Sequence, residues 1–340
     1  MLTTNPRARW IHGPAADVAI AFCWAPFALA AHLLEGSPGK LAVLVAAVFL
    51  LSFAHQPLTM GLVYGDPVQF AARRRLYLVA PIAFAGAVLV GQAISLTLVA
   101  LVAGLWNAEH TLMQRYGLTR IYGRKAGDDQ GRFEKAMLVA WLVAAMVLVA
   151  AFVDIPAALR RVQLGGTNAR GVELLNRMST AARWLAVPIV VVMMTLTARW
   201  WRAERRLGAT ANPAKHLYLL ATAALIATIV VDPIAGLVAY VGGHALEYFV
   251  IVHHSLRGRT DDAPVARATS TSAGRAGVYA LYFAAIIALL VVTYPRLGGH
   301  GYGFVVLFFG ALHILYDGFV WKLRRPAVAA SLGVPAAAAT

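Results

Sequence analysis

The chain has 340 residues, of which 60% are hydrophobic and only 13% are charged, with a net charge of +15 and a mean hydropathy of +0.68. Soluble domains average about 25% charged residues, so this composition excludes an ordinary soluble protein and indicates lipid as the solvent. Cys23 is the single cysteine, which excludes a disulfide framework and a CxxC metal or redox motif.

Apolar segments follow one another along the whole chain, each close to the roughly 20 residues that cross a hydrocarbon core. They predict an all-α, polytopic integral membrane bundle of about ten transmembrane helices, forming a single domain over 1–340. The predicted helices are 15–35, 41–64, 76–92, 94–116, 135–153, 183–203, 216–231, 234–256, 276–294 and 302–322. We interpret the first helix as a retained span rather than a cleaved signal.

Several connections carry turn and capping residues. Gly91-Gln92 is a tight joint between the third and fourth helices, and Asp232-Pro233 joins the seventh and eighth. Proline favours the first turn of a helix and aspartate can cap its start, so a helix should begin at Pro233. Asp66 predicts a cap on a short interfacial helix. His32, alone in the first span, predicts a hydrogen bond between helices.

Lys and Arg residues are concentrated on one side of this predicted topology. That side holds both termini and the connections 65–75, 117–134, 204–215 and 257–275. The positive-inside rule then places both termini in the cytoplasm. The excess positive charge is explained by topology, so nucleic-acid binding is not needed to account for it. The mixed-sign segment 128–135 predicts a solvated loop.

Ionisable side chains inside spans are costly, so each needs a partner or a function. Histidines on four predicted spans fall at the middle or in the cytoplasmic half of their helices, and we predict that they form one buried metal site. The predicted ligands are His55, His110, His244, His254 and His313. Three carboxylates are predicted to orient these rings or to complete the shell: Glu247, Asp317 and Glu109.

Helical phase refines this set. His244, Glu247 and His254 lie within an arc of about 80°, whereas His253 points to the opposite side. His313 and Asp317 are at i and i+4, so they are neighbours on one face. Glu109 is turned about 100° from His110. Histidines with carboxylates and no thiolate suit non-haem iron, one ion or two; zinc and copper fit this set less well.

Three segments resemble motifs of the Brp/Blh-type membrane β-carotene dioxygenases. "HALEYFVIVHHSLRG" matches their His-Ser segment through His254 and Ser255, preceded by Tyr248. "FAHQPLTMGLVYGD" and "AEHTLMQRYG" are similar to two further motifs, through His55 and His110, although neither histidine is followed by the family's glycine or Phe-Gly. The resemblance implies a polytopic fold, iron held by histidines from several spans, and oxidative cleavage of a long polyene with dioxygen.

The buried histidines together with this resemblance predict a membrane oxidoreductase that binds non-haem iron and oxidises a lipid-soluble substrate, with a polyene, an isoprenoid and a fatty acyl chain left open. Substrate would enter laterally from the bilayer, and dioxygen would be the co-substrate. Two other classes stay open. A haem- or quinone-linked electron carrier would use paired histidines on facing helices. A proton- or metal-coupled transporter would use histidines and carboxylates as a relay near the midplane.

Overall fold

The structure is a computed structural model that describes residues 9–161, 169–258, 263–323 and 325–334. Within these ranges the chain forms helices joined by short turns and contains no β-strand, which confirms the all-α class. The helices are α1 Pro14–Ala21, α2 Ala25–Leu33, α3 Pro38–His55, α4 Leu58–Tyr64, α5 Pro67–Ala72, α6 Arg74–Lys125, α7 Gly131–Phe152, α8 Ile155–Arg161, α9 Ala169–Arg205, α10 Pro213–Val231, α11 Pro233–Arg257, α12 Pro264–Ala268, α13 Ser272–Val320 and α14 Pro326–Ser331.

Among the described residues, eight helices are long and apolar enough to cross a membrane, and the bent pair α1 and α2 could supply a ninth. The chain is therefore a multi-pass membrane protein. The predicted span 94–116, in the second half of α6, is not among these helices of the described residues, so the count of about ten stays a prediction.

Two of the long helices are broken. In α6 the break is at Ser95, whose φ of −167° is extended backbone, three residues after the predicted joint at Gly91-Gln92. In α13 the break is at Gly298, whose φ of 60° favours glycine because a side chain is strained there. The predicted caps are confirmed: the Ala235 amide donates to Asp232 Oδ1 over 3.0 Å, and Asp66 accepts from two amides at the start of α5.

The described chain forms two compact units. The first unit contains residues 1–50 and 111–247, and the second contains 51–110 and 248–340. The single transmembrane domain over 1–340 stays a prediction.

In the first unit, α7 packs along α9, and α2, α3 and α11 enclose an apolar core around Leu41 and Val238. His32 Nδ1 lies 3.1 Å from Asp232 Oδ2, which confirms its predicted role in joining two helices. Arg9 contacts the backbone oxygens of 209 and 211, and the Asn212 amide donates to the carbonyls of Arg9 and Tyr122. The N-terminal segment, the end of α6 and the start of α10 therefore meet at one end of this unit.

The segment 128–135 is not a solvated loop, so that prediction was wrong. Asp128 and Glu134 are buried, and together with Glu204 they surround the buried ammonium of Lys215 at 2.5 to 3.1 Å. Arg120 donates to both Asp128 and Glu134. The mixed charges form this buried ion-pair network, the Lys215 cluster, because a cation on α10 and another on α6 neutralise the carboxylates.

In the second unit, α4 packs against α13, and an apolar core forms around Val63, Tyr248, Leu312 and Tyr316. A second apolar core around Phe53 and Val305 contains buried residues of α3 and α13. At one end of the unit the Gln69 side chain bonds Arg325, and Ser255 Oγ lies 3.0 Å from Ser331 Oγ. These two cores surround the polar residues described next.

Candidate metal centre

Three of the predicted histidines converge in the second unit. His313 Nε2 lies 3.0 Å from His110 Nε2 and 3.2 Å from His55 Nε2. All three rings are buried, and the His313 ring is nearly perpendicular to each of the other two, with ring centroids 4.7 Å apart. The Nε2 atom of His313 on α13 thus lies within hydrogen-bond distance of the Nε2 atoms of His55 on α3 and His110 on α6.

Local sequence explains how each ring is positioned. His55 is the last residue of α3, where Gln56 and Pro57 interrupt the helix before α4 begins. Proline fits this place because it lacks the amide that continuing the helix would require. His110 lies in the second half of α6, after the break at Ser95. His313 and Asp317 are one turn apart on α13, on one face as their spacing predicts.

Asp317 completes a group of two imidazoles and one carboxylate. Its Oδ2 lies 3.7 Å from His110 Nε2 and 3.7 Å from His313 Nε2, and these ligand atoms lie within 4.8 Å of one another. Ligands held about 2.1 Å from one ion are about 3.0 Å apart at right angles and about 3.4 Å apart at the tetrahedral angle. The observed distances between ligand atoms, 3.0 and 3.7 Å, are close to these two ligand–ligand distances, so a metal ion fits the group.

Thr59 and Tyr248 connect the other side of this group. Thr59 Oγ1 lies 2.7 Å from His313 Nδ1 and 2.9 Å from Asp317 Oδ1. The Tyr248 hydroxyl lies 2.5 Å from Thr59 Oγ1 and donates to Asp317 Oδ1 over 2.9 Å. If His313 Nδ1 donates to Thr59 and Thr59 donates to Asp317, then His313 Nε2 keeps its lone pair for a ligand.

The surroundings of the group are apolar. Leu62, Val63 and Leu312 belong to the buried core that also contains Tyr248. The ring of Tyr248 lies 5.2 Å from that of His55 and 5.0 Å from that of His313, centroid to centroid. A polar group enclosed in this way has few solvent competitors, so its electrostatic interactions are strong.

Glu247 has a different partner from the one predicted. It belongs to the first unit, where Arg115 Nη2 donates to its Oε1 over 2.7 Å and Gln114 donates to its Oε2. Arg115 is 1% exposed and also donates to Thr222. Its positive charge is therefore buried inside the unit, unlike the Lys and Arg residues of the connections predicted to be cytoplasmic. The carboxylate of Glu247 is therefore neutralised by Arg115.

The remaining predicted residues have different surroundings. His244 is buried and belongs to the first unit, and its role as a ligand stays a prediction. His254 is half-buried, and among the described residues it joins no group of potential ligands. Ten residues of helix place His254 about 15 Å beyond His244, so one ion cannot bind both. Glu109 is exposed, as its 100° offset from His110 requires.

Sequence reasoning missed Thr59, Tyr248 and Arg115. Tyr248 follows His244 by four residues, the spacing that places side chains on one helix face. Thr59 lies beyond the interruption at Gln56-Pro57, so its position relative to His55 does not follow from helix spacing. A buried tyrosine needs a hydrogen-bond partner. Helix spacing and the need of a buried tyrosine for a partner could have identified Tyr248 from the sequence. The pairing of Arg115 with Glu247 could not be identified in this way, because it depends on tertiary packing.

Comparison with protein-family models, with curated proteins and with solved structures finds no match to this chain. The resemblance of its motifs to membrane carotene dioxygenases therefore stays a prediction. What the protein does has to be argued from the geometry of the His110, His313 and Asp317 group.

Proposed function

We propose that this protein is an integral-membrane enzyme of the cell membrane that uses histidine-ligated non-haem iron and dioxygen to oxidise a lipid-soluble substrate. His110, His313 and Asp317 would bind the iron. His55, whose Nε2 lies 3.2 Å from His313 Nε2, would supply a third imidazole ligand. One observation carries the proposal: two imidazole nitrogens and a carboxylate oxygen, all buried, lie 3.0 to 3.7 Å from one another.

The choice of iron follows from the kind of ligand. Two histidines and one carboxylate with positions left open are typical of non-haem iron oxygenases. Catalytic zinc sites also use two histidines and one carboxylate with an open position, so zinc is the other metal that the group could hold. Thr59 supports the ligand role of His313, since metal-bound histidines usually donate through their other nitrogen.

The apolar surroundings favour a hydrocarbon substrate such as a polyene, an isoprenoid or a fatty acyl chain. Bound iron would supply binding and activation of dioxygen. The side chains around the group would exclude water from the reacting centre. In cleavage of a polyene, one carbon–carbon double bond breaks and each oxygen atom of dioxygen ends in one of two carbonyl products, so no external reductant is consumed.

The distances disfavour the haem alternative. Two axial histidines on opposite sides of a haem iron place their ligating nitrogens about 4 Å apart. His110 Nε2 and His313 Nε2 are only 3.0 Å apart, and His55 Nε2 lies 3.2 Å from His313. Nitrogens this close leave no room for a porphyrin between the rings, whereas they suit neighbouring positions on a single ion.

Metal analysis of the full-length protein tests the proposal. Detergent-purified protein is loaded anaerobically with Fe²⁺, desalted and measured for bound iron and for its optical spectrum. We expect about one iron or more per chain and no Soret band. His110→Ala, His313→Ala and Asp317→Ala should each lower retained iron at least about tenfold, because each removes one of few ligands.

His254→Ala is the matched control, since His254 was also a predicted ligand but lies outside the group. It should retain iron like the wild type. Wild-type protein that binds no iron, or iron retained equally after all three substitutions, would contradict the proposed ligands. Consumption of dioxygen upon addition of a polyene alone, or of an isoprenoid or a fatty acid together with a two-electron reductant, then distinguishes the substrate classes, because hydroxylation or desaturation consumes two electrons and polyene cleavage consumes none.

A further inference from the structure

An arginine-lined hollow lies in the first unit, outside the metal centre. It has a volume of about 730 Å³ and is formed where α7 begins and α9 ends. Four arginines line it: Arg132, Arg199, Arg202 and Arg206. The last three occupy positions i, i+3 and i+7, which share one face of α9 and its extension.

Positive charge in this hollow exceeds negative charge. Asp129 supplies the one carboxylate that lines the hollow, and this carboxylate already accepts a hydrogen bond from the side-chain amide of Gln130 over 3.2 Å. Within the described residues, Arg199, Arg202 and Arg206 form no ion pair with a carboxylate. Like charges held together repel one another, so the arrangement favours an anion that several guanidinium groups can share.

The Lys215 cluster holds the two arginine-bearing segments in place. Lys215 bonds Glu134, two residues after Arg132, and also bonds Glu204, midway between Arg202 and Arg206. These contacts fix the start of α7 against the end of α9 within the unit. The hollow is therefore formed before any ligand arrives, which lowers the ordering cost of binding.

The position of the hollow identifies the kind of anion. It lies at the ends of two helices that are long and apolar enough to cross a membrane. On the apolar parts of these helices, Val192 lies seven residues before Arg199 on the same face of α9, and Val143 lies eleven residues after Arg132 on the same face of α7; both are exposed apolar side chains. A molecule with a phosphate group at the hollow and hydrocarbon along these side chains satisfies both surfaces.

We propose that this hollow is a binding site for the headgroup of an anionic phospholipid. Guanidinium groups suit this ligand because their planar donors can pair with two phosphate oxygens at once. The site is independent of the metal centre, so each proposal can fail without the other.

Lipid binding to full-length protein in neutral detergent tests the site. Dioctanoyl phosphatidylglycerol, dioctanoyl phosphatidylcholine and inorganic pyrophosphate are titrated separately, and the thermal unfolding midpoint is followed. We expect phosphatidylglycerol alone to raise the midpoint with saturation, and added salt to weaken it. Arg202→Gln and Arg206→Gln should each weaken the apparent affinity about fivefold.

Arg205→Gln is the matched control, since Arg205 is exposed on the same turn of α9 but does not line the hollow. Unchanged affinity in this variant supports a defined site. An equal loss in Arg205→Gln would overturn the proposal in favour of general surface charge. Equal effects of the two lipids would overturn headgroup selection, and saturable stabilisation by pyrophosphate would assign the site to a soluble phosphate instead.

Discussion

At the scale of single residues, Thr59 joins most of the polar atoms of the metal centre. Its one hydroxyl lies within hydrogen-bond distance of His313, Asp317 and Tyr248. The Thr59 hydroxyl can donate to Asp317 and accept from His313 Nδ1, so one group contacts both proposed ligands. Thr59 therefore fixes the orientation of two proposed ligands at once, although it does not itself reach the ion position.

Thr59→Val tests this orienting role, because it keeps the shape of the side chain and removes the hydroxyl. We expect the Kd for Fe²⁺ to rise about 10- to 100-fold, as for other lost partners of ligating histidines. Competition with a chelator measures the change. Thr195→Val is the control, since the Thr195 hydroxyl is exposed and bonds only its own helix at Val191. An unchanged Kd in Thr59→Val would show that His313 needs no such support.

The same residues show how far the sequence predicts the centre. His55, His110, His313 and Asp317 were predicted because ionisable groups in apolar helices are costly, and the structure brings them together. His254 was predicted from helical phase, which describes direction around a helix but ignores distance along it. Glu247 could not be assigned because its partner Arg115 comes from another helix, and only packing pairs them.

At the scale of helices and their connections, the Lys215 cluster ties α7, α9 and α10 to the 126–130 connection. Burial alone would raise the pKa of Asp128, but hydrogen bonds and charge from Lys215, together with the Gln130 amide and Arg120, lower that pKa below its ordinary value. A depressed pKa means that the ionised carboxylate stabilises the fold. That stabilisation is fully present above about pH 4 and is lost as the pH falls through the folded-state pKa.

Asp128→Asn should therefore change both stability and its pH dependence. At pH 7 we expect the free energy of unfolding to fall by about 1.5 to 3 kcal/mol, because a hydrogen bond to a charged group is lost. Below about pH 4 the difference from wild type should shrink, since the native carboxylate also becomes protonated. Thermal unfolding in detergent at a series of pH values measures this. Asp129→Asn, at the exposed neighbouring position, should follow the wild-type profile, and a constant difference in Asp128→Asn would contradict the argument.

At the scale of the whole molecule, each unit can be compared separately with the predicted topology. In the first unit, Arg9, Asp128 and Lys215 represent three regions predicted to face the cytoplasm, and they meet at one end. In the second unit, the segment 325–331 of the predicted cytoplasmic tail bonds Gln69 in the connection 65–75 and Ser255 next to the connection 257–275. These three predicted cytoplasmic regions therefore also meet at one end of their unit. Hydropathy and charge predict this grouping because it depends on the order of spans along the chain. The number of about ten spans stays a prediction, since the second half of α6 is not among the apolar helices of the described residues.

Cysteine labelling in intact expressing cells tests the side of the membrane. In a Cys23→Ser background, Lys40→Cys lies in a connection predicted to be external, and Arg206→Cys lies in one predicted to be cytoplasmic. Both positions are exposed, so a membrane-impermeant maleimide can react wherever it has access. We expect Lys40→Cys to be labelled in intact cells and Arg206→Cys only after permeabilisation, because the positive charge that surrounds Arg206 is retained inside. Labelling of Arg206→Cys in intact cells would invert the orientation, and it would also place the arginine-lined hollow on the outer surface.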